Sequence, residues 1–240
     1  MPGTRSLRAA FLGILAWSGA AVGGVLEHQL FRAIKTRHDD RVVQLMREGT
    51  PVNLRAADGT TPLMIAALHG SPESLGLLLE KGADPNLAND AGCTALLWAV
   101  ADPEKVRLLL SRGANVNARS GAGMTPLLAA ASLPTGSTVV ELLLTHDAEI
   151  EARNNRGRSV LRRAILGGNP DTVRLVLAHA KQRGKLDAVI GDDAADLLAL
   201  ASVPEGNACV SLLCGQLTEW NGGRLPDAGQ AVAIALQRQR

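Results

Sequence analysis

The chain has 240 residues, 46% of them hydrophobic, which argues for a packed core and against a disordered chain. Aromatic residues make up only 2%, with no tyrosine, so the core must be built from Leu, Val, Ile and Ala, and stacking platforms for single-stranded nucleic acid are not expected. The formal charge is +2, and without the first 20 residues, which carry Arg5 and Arg8, 23 basic side chains face 23 acidic ones; the body lacks the basic excess of a nucleic-acid binder.

From Ala9 to Leu26 the chain is uncharged over 18 residues, with Arg5 and Arg8 just before it. Phe11 to Trp17 is its most apolar part, and Ser18-Gly19-Ala20 supplies the small side chains a signal peptidase needs. Residues 1–26 therefore read as a secretory signal peptide. Two other readings stay open: an uncleaved membrane anchor, which the four glycines of the segment weaken, and a buried N-terminal helix. The leader style points to a bacterial source. The mature chain is then expected to be periplasmic or secreted, or anchored in the inner membrane if residues 1–26 are retained.

Residues 27–57 read as a first repeat, because Leu30, Ala33, Val42, Leu45 and Gly49 keep the offsets of Leu63, Ala66, Leu75, Leu78 and Gly82. Residues 58–180 hold the clearest copies. Gly59-Thr60-Thr61-Pro62-Leu63 recurs as Gly92-Cys93-Thr94-Ala95-Leu96, as Gly123-Met124-Thr125-Pro126-Leu127 and as Gly157-Arg158-Ser159-Val160-Leu161, at glycine spacings of 33, 31 and 34. A second apolar run follows each, from Leu75, Val106, Val140 and Val173. The hydroxyl before each first helix is a cap, and proline suits the first turn. Ala66 and Ala67 let the next helix approach closely. Leu75, Leu78 and Leu79 form one apolar stripe, Gly82 ends that helix, and Asp84, Asn86, Asn89 and Asp90 supply turn chemistry. The third copy is two residues shorter between Ala99 and Val106, so the turn Ala101-Asp102-Pro103 must be tight. Trp98, on the first helix of that copy, reads as a large core filler. Residues 181–191 read as a linker and 192–240 as a degenerate repeat, over 192–217, followed by a capping helix.

Period, Thr-Pro-Leu, small alanines, leucine run and Gly-Ala-Asx-x-Asn exit together resemble the ankyrin repeat, over roughly residues 27–217. The histidine that follows the leucine in that family is replaced by Met64, Leu97, Leu128 and Arg162. The resemblance implies an all-α ankyrin-repeat solenoid of about six repeats, helix–turn–helix units joined by β-hairpin-like loops. It also implies a non-catalytic protein–protein interaction module, the alternative being a membrane-tethered scaffold or inhibitor that holds an enzyme at the bilayer.

No catalytic, cofactor-binding or metal-binding residue is assigned. Cys93, Cys209 and Cys214 have neither zinc nor haem spacing, and no serine sits in a nucleophile elbow. The histidines fall at unrelated positions, except that His146 and His179 both sit near the ends of second helices, where the negative end of the helix favours them. In proteins this chain resembles, partners touch the hairpin tips and the exposed side of the first helices. Carried over, the tips are Arg55, Ala57 and Asp58; Ala88, Asp90 and Ala91; Arg119, Gly121 and Ala122; and Arg153, Asn155 and Arg156. The groove positions are Leu68, His69, Ser132 and Leu133. The partner-binding set expected from this is Arg55, Asp58, Asp90, Arg119, Arg153, Asn155, Arg156 and Arg158. Arg156, Arg158, Arg162 and Arg163 crowd the entrance of the copy that opens at Gly157. With neighbouring repeats about 10 Å apart, Arg119, Arg153, Arg156 and Arg158 are expected to form one basic patch for an acidic protein segment, the plainer reading being a solvated rim. A monomer without nucleic acid is expected, meeting a membrane only if residues 1–26 are retained.

Overall fold

The computed structural model describes residues 19–191. The leader up to residue 18 and the expected repeat and capping helix in 192–240 lie outside the described residues. The chain divides at Asp84/Pro85 into two bodies.

The first body holds α1 (Gly19–Lys35), α2 (Asp39–Arg47), α3 (Pro62–Leu68) and α4 (Pro72–Glu80). Helix α1 runs across position 26, where the sequence suggests the leader ends. α1 pairs with α2 and α3 with α4, while α1 stacks on α3 and α2 on α4. Two layers of first and second helices result, and they enclose Leu30, Ile34, Leu45, Leu63, Met64, Leu75 and Leu78, all fully buried. Met64 thus puts a thioether where the repeat pattern has an imidazole.

The second body holds α5 (Ala95–Ala99), α6 (Pro103–Ser111), α7 (Pro126–Ala130), α8 (Ser137–Thr145), α9 (Val160–Leu166), α10 (Pro170–Gln182) and α11 (Leu186–Gly191). First helices α5, α7 and α9 stack in one layer and second helices α6, α8 and α10 in the other, with α11 against α10. Leu96, Leu109, Leu127, Leu128, Leu143 and Leu161 are among its fully buried leucines. Residues 181–191, which read as a linker, contain α11, whose Val189 and Ile190 are buried. Among the described residues the β structure is limited to one isolated bridge, Arg153 to Ser159, and no helix is long and apolar enough to cross a membrane.

Caps decide where these short helices start. Thr61 accepts from Met64 N–H, Thr125 from Leu128 N–H and Ser159 from Arg162 N–H, each in the first turn. Asp102 accepts from the N–H groups of Glu104 and Lys105, which closes the tight turn of the shortened third copy. Thr94 departs from the pattern: its hydroxyl is buried without a hydrogen-bond partner. Replacing both members of a hydrogen bond is cheap, whereas stranding one is costly, so an already stranded hydroxyl is dispensable. Thr94→Val is therefore expected to leave stability unchanged or raise it by up to about 1 kcal/mol, while Thr125→Val lowers it by about 1 kcal/mol; urea unfolding midpoints of the two variants check the contrast.

A second set of bonds ties successive repeats together. Asn53 donates to the Gly82 carbonyl (3.2 Å) and accepts from Asp84 N–H (2.9 Å). Asn86 does the same to Gly113 and Asn115, and Asn117 to Asp147 and Glu149. Each asparagine satisfies a helix-end carbonyl and the start of the next loop at once. In the following copy Glu151 takes the asparagine's place and forms an ion pair with Lys185. Asp147 stands where other copies have glycine, at φ +63°, and its carboxylate is held below the usual range, first by the hydrogen bond from Arg183. Loss of both Asn117 bonds in Asn117→Ala is expected to cost about 1–2 kcal/mol, and Asn117→Asp, which keeps the acceptor, about half as much, as read from the denaturant midpoint.

Candidate interaction face

The loops between repeats end in tips of one design. In the second body Asn89, Ser120 and Asn154 each donate their backbone N–H to the carbonyl four residues on and accept from the glycine three residues on. Their side chains cap the same turn: Asn89 accepts from the N–H of Ala91 and Cys93, Ser120 from that of Met124, and Asn154 from those of Arg156 and Arg158. The glycine at the third step is left-handed, with φ +73° at Gly92 and +72° at Gly123. The tips then join one another. Gly121 N–H donates to the Ala91 carbonyl (2.8 Å) and Asn155 N–H to the Ala122 carbonyl (3.1 Å). A Cβ on Gly92 would lie 2.8 Å from Gly121 N, and one on Gly123 2.8 Å from Asn155 N, so both glycines are needed for this approach as well as for their backbone angles.

The residues expected to bind a partner divide into two groups. Several are occupied by the architecture. Asn155 donates its side-chain amide to the Gly121 carbonyl at 2.9 Å, Arg119 a guanidinium N–H to the Arg153 carbonyl at 2.6 Å, and Arg153 to the Gly157 carbonyl at 2.8 Å. Asp58, on the tip of the first body, accepts from Thr60 N–H and from the Thr60 hydroxyl, and these bonds, the backbone one first, hold its pKa down. Arg55 is exposed on that same tip and Asp90 on the first tip of the second body. Arg156 is exposed and Arg158 half-buried, and here it is the backbone N–H groups that carry the turn. Arg119 thus reaches the backbone of Arg153 on the next tip, which also carries Arg156 and Arg158, and the guanidinium groups of Arg119 and Arg153 are held by carbonyls.

Arg163 extends the cluster onto the helices. Its Nε donates to the Leu128 carbonyl of α7 at 2.7 Å, and its pKa is lowered by burial and by the nearby Arg158. Across residues 88–99, 119–130 and 153–166, the tips and first helices of this body, there are six arginines against one carboxylate, Asp90. Trp98, expected as core filler, is half-buried on α5. Leu166 is 52% exposed at the end of α9. It occupies the same repeat position as Leu68, which is 48% exposed in the first body, and that equivalence is the sequence signal that could have singled it out. Ser132 and Leu133, expected to face the groove, are half-buried, and His69 is exposed. Of the two helix-end histidines, His146 places Nδ1 2.8 Å from the Leu142 carbonyl, as a helix-end histidine should, whereas His179 Nε2 is buried without a partner and burial lowers its pKa.

The family model for ankyrin repeats in three copies matches residues 30–120 and again 101–188. The chain belongs to the ankyrin-repeat family. Its fold is the all-α ankyrin solenoid, and ankyrin repeats generally mediate protein–protein interaction. Among curated relatives, human BCL-6 corepressor-like protein 1 is 43% identical over 58 residues, 24% of this chain and 3% of that protein. The bovine mitochondrial disaggregase is 39% identical over 61 residues, 25% of this chain and 9% of its own length. HOS4 of Saccharomyces cerevisiae is 37% identical over 79 residues, 32% of this chain and 7% of that protein. The chain spans less than a tenth of the length of these relatives.

Proposed function

We propose that this ankyrin protein is a non-catalytic docking module whose second body holds an acidic segment of a partner protein. The observation that carries this reading is the charge of one face. Six arginines and one aspartate lie on the tips and first helices, and Arg119 and Arg153 are already fixed by backbone carbonyls. Arginines held in place lose little side-chain entropy on binding, and their planar forks suit carboxylates. Monomer and export are part of the same proposal: the uncharged stretch Ala9–Leu26 supports an N-terminal leader, with a partner outside the cytoplasm.

The test is recovery of the partner on the tagged full chain, followed by a salt titration. Contacts made mostly by charge weaken as ionic strength rises from about 0.05 to 0.5 M. A complex that is released over this range supports the reading, and one indifferent to salt contradicts it. The amino terminus of the mature chain, read by mass spectrometry in each cell fraction, tests the leader separately: a start near Ala21 supports export with cleavage, and a soluble chain that starts at Met1 contradicts it.

A further inference from the structure

The arginines occupy one end of a surface whose other end is apolar. Within the second body, first helices α5, α7 and α9 lie side by side, and none carries a carboxylate. Arg158 stands at the tip end, and Arg163, on α9 between it and Leu166, donates to the Leu128 carbonyl of α7 at 2.7 Å. Leu166 is exposed at the end of α9, and the residue after it, Gly167, packs on the backbone of Ala131 and Ser132 at the start of the loop after α7. That loop is tied down: Asn169 donates to the Pro134 carbonyl at 2.6 Å, and a Cβ on Gly167 would lie 2.9 Å from the Ala131 carbonyl oxygen. Leu133 and Pro134 on the loop are half-buried and exposed. An exposed leucine beside a leucine and a proline on fixed backbone is a preformed apolar seat.

We infer that the acidic segment taken by this face also carries one large aliphatic or aromatic side chain, seated on Leu166, Leu133 and Pro134. This rests on the acid-docking reading above and specifies it. Charge complementarity fixes the occupant's chemistry: a face rich in arginine with an apolar end excludes a basic or purely apolar occupant and fits an acidic one with an apolar anchor. Spacing fixes the register. Arg158 precedes Leu166 by eight residues, most of them helical, which is about 12 Å at 1.5 Å per residue. An extended peptide advances about 3.3 Å per residue, so acid and anchor are separated by three or four positions.

The experiment is selection of a random dodecapeptide display library on the intact full chain. Consensus binders are then titrated by fluorescence anisotropy against wild type, Leu166→Gln and the double variant Arg156→Glu/Arg158→Glu. Gln keeps helix propensity, and circular dichroism confirms that each variant is folded. The inference expects Asp or Glu and, three or four residues away, Leu, Ile, Met or Phe, with affinity about tenfold weaker for Leu166→Gln. Acidic consensus peptides without a fixed apolar position, indifferent to Leu166→Gln, overturn the seat while leaving acid docking intact. Peptides without acidic residues, peptides indifferent to the arginine reversal, or no peptide at all overturn both.

Discussion

Gly136→Ala is expected to lower stability by about 3 kcal/mol, more than any other single substitution considered for the second body. Gly136 sits at the start of α8 with ordinary helical angles, so the cost does not come from its φ. It comes from space: a Cβ there would lie 2.1 Å from the carbonyl oxygen of Ala130, the last residue of α7. A backbone oxygen in a capped helix end cannot move aside as a flexible side chain can. The loop after α7 must open, and the α7–α8 pairing with it. Gly76→Ala is the matched control. Gly76 lies inside α4 with nothing within 4 Å of the added methyl, so alanine is expected to stabilise by about 0.5–1 kcal/mol through helix propensity. Urea unfolding of the two variants should move the midpoint in opposite directions.

The largest effect on binding is expected from Arg156→Glu/Arg158→Glu, about 100-fold weaker capture of the acidic partner, about tenfold from the two lost contacts together and about tenfold from added repulsion. These two positions are preferred to Arg119 and Arg153 for a physical reason. The guanidinium groups of Arg119 and Arg153 bond to backbone carbonyls, so their loss would disturb the tips as well as the charge. At Arg156 and Arg158 the turn is carried by backbone N–H groups bonding to Asn154, which a glutamate also supplies. A matched loss with Arg156→Gln/Arg158→Gln, smaller by about tenfold, would separate lost attraction from added repulsion. Unchanged unfolding midpoints should accompany both.

Much of this architecture was legible in the sequence because each signal had one physical use. Threonine before Pro-Leu marked a cap, and Thr61 and Thr125 cap. The leucine stripe marked a buried face, and Leu75 and Leu78 are fully buried. What was not legible were side chains with two uses. Asn86 read as turn chemistry, yet its amide bridges to the next repeat at Gly113 and Asn115, a contact 27 residues away that no local pattern encodes. Asn155 read as a contact residue for a partner but is used between tips. Leu166 was legible only through its repeat equivalence to Leu68, nine residues after Gly157 as Leu68 is after Gly59.

Hydrogen exchange of the full chain, free and bound to its purified partner, tests the central claim most directly. The account predicts slower exchange in fragments covering residues 119–130 and 153–166, the arginine-bearing tips with α7 and α9, and unchanged exchange in those covering α8 and α10 on the opposite layer. Protection confined to α8 and α10, with the tips and α9 exchanging as in the free chain, would contradict it.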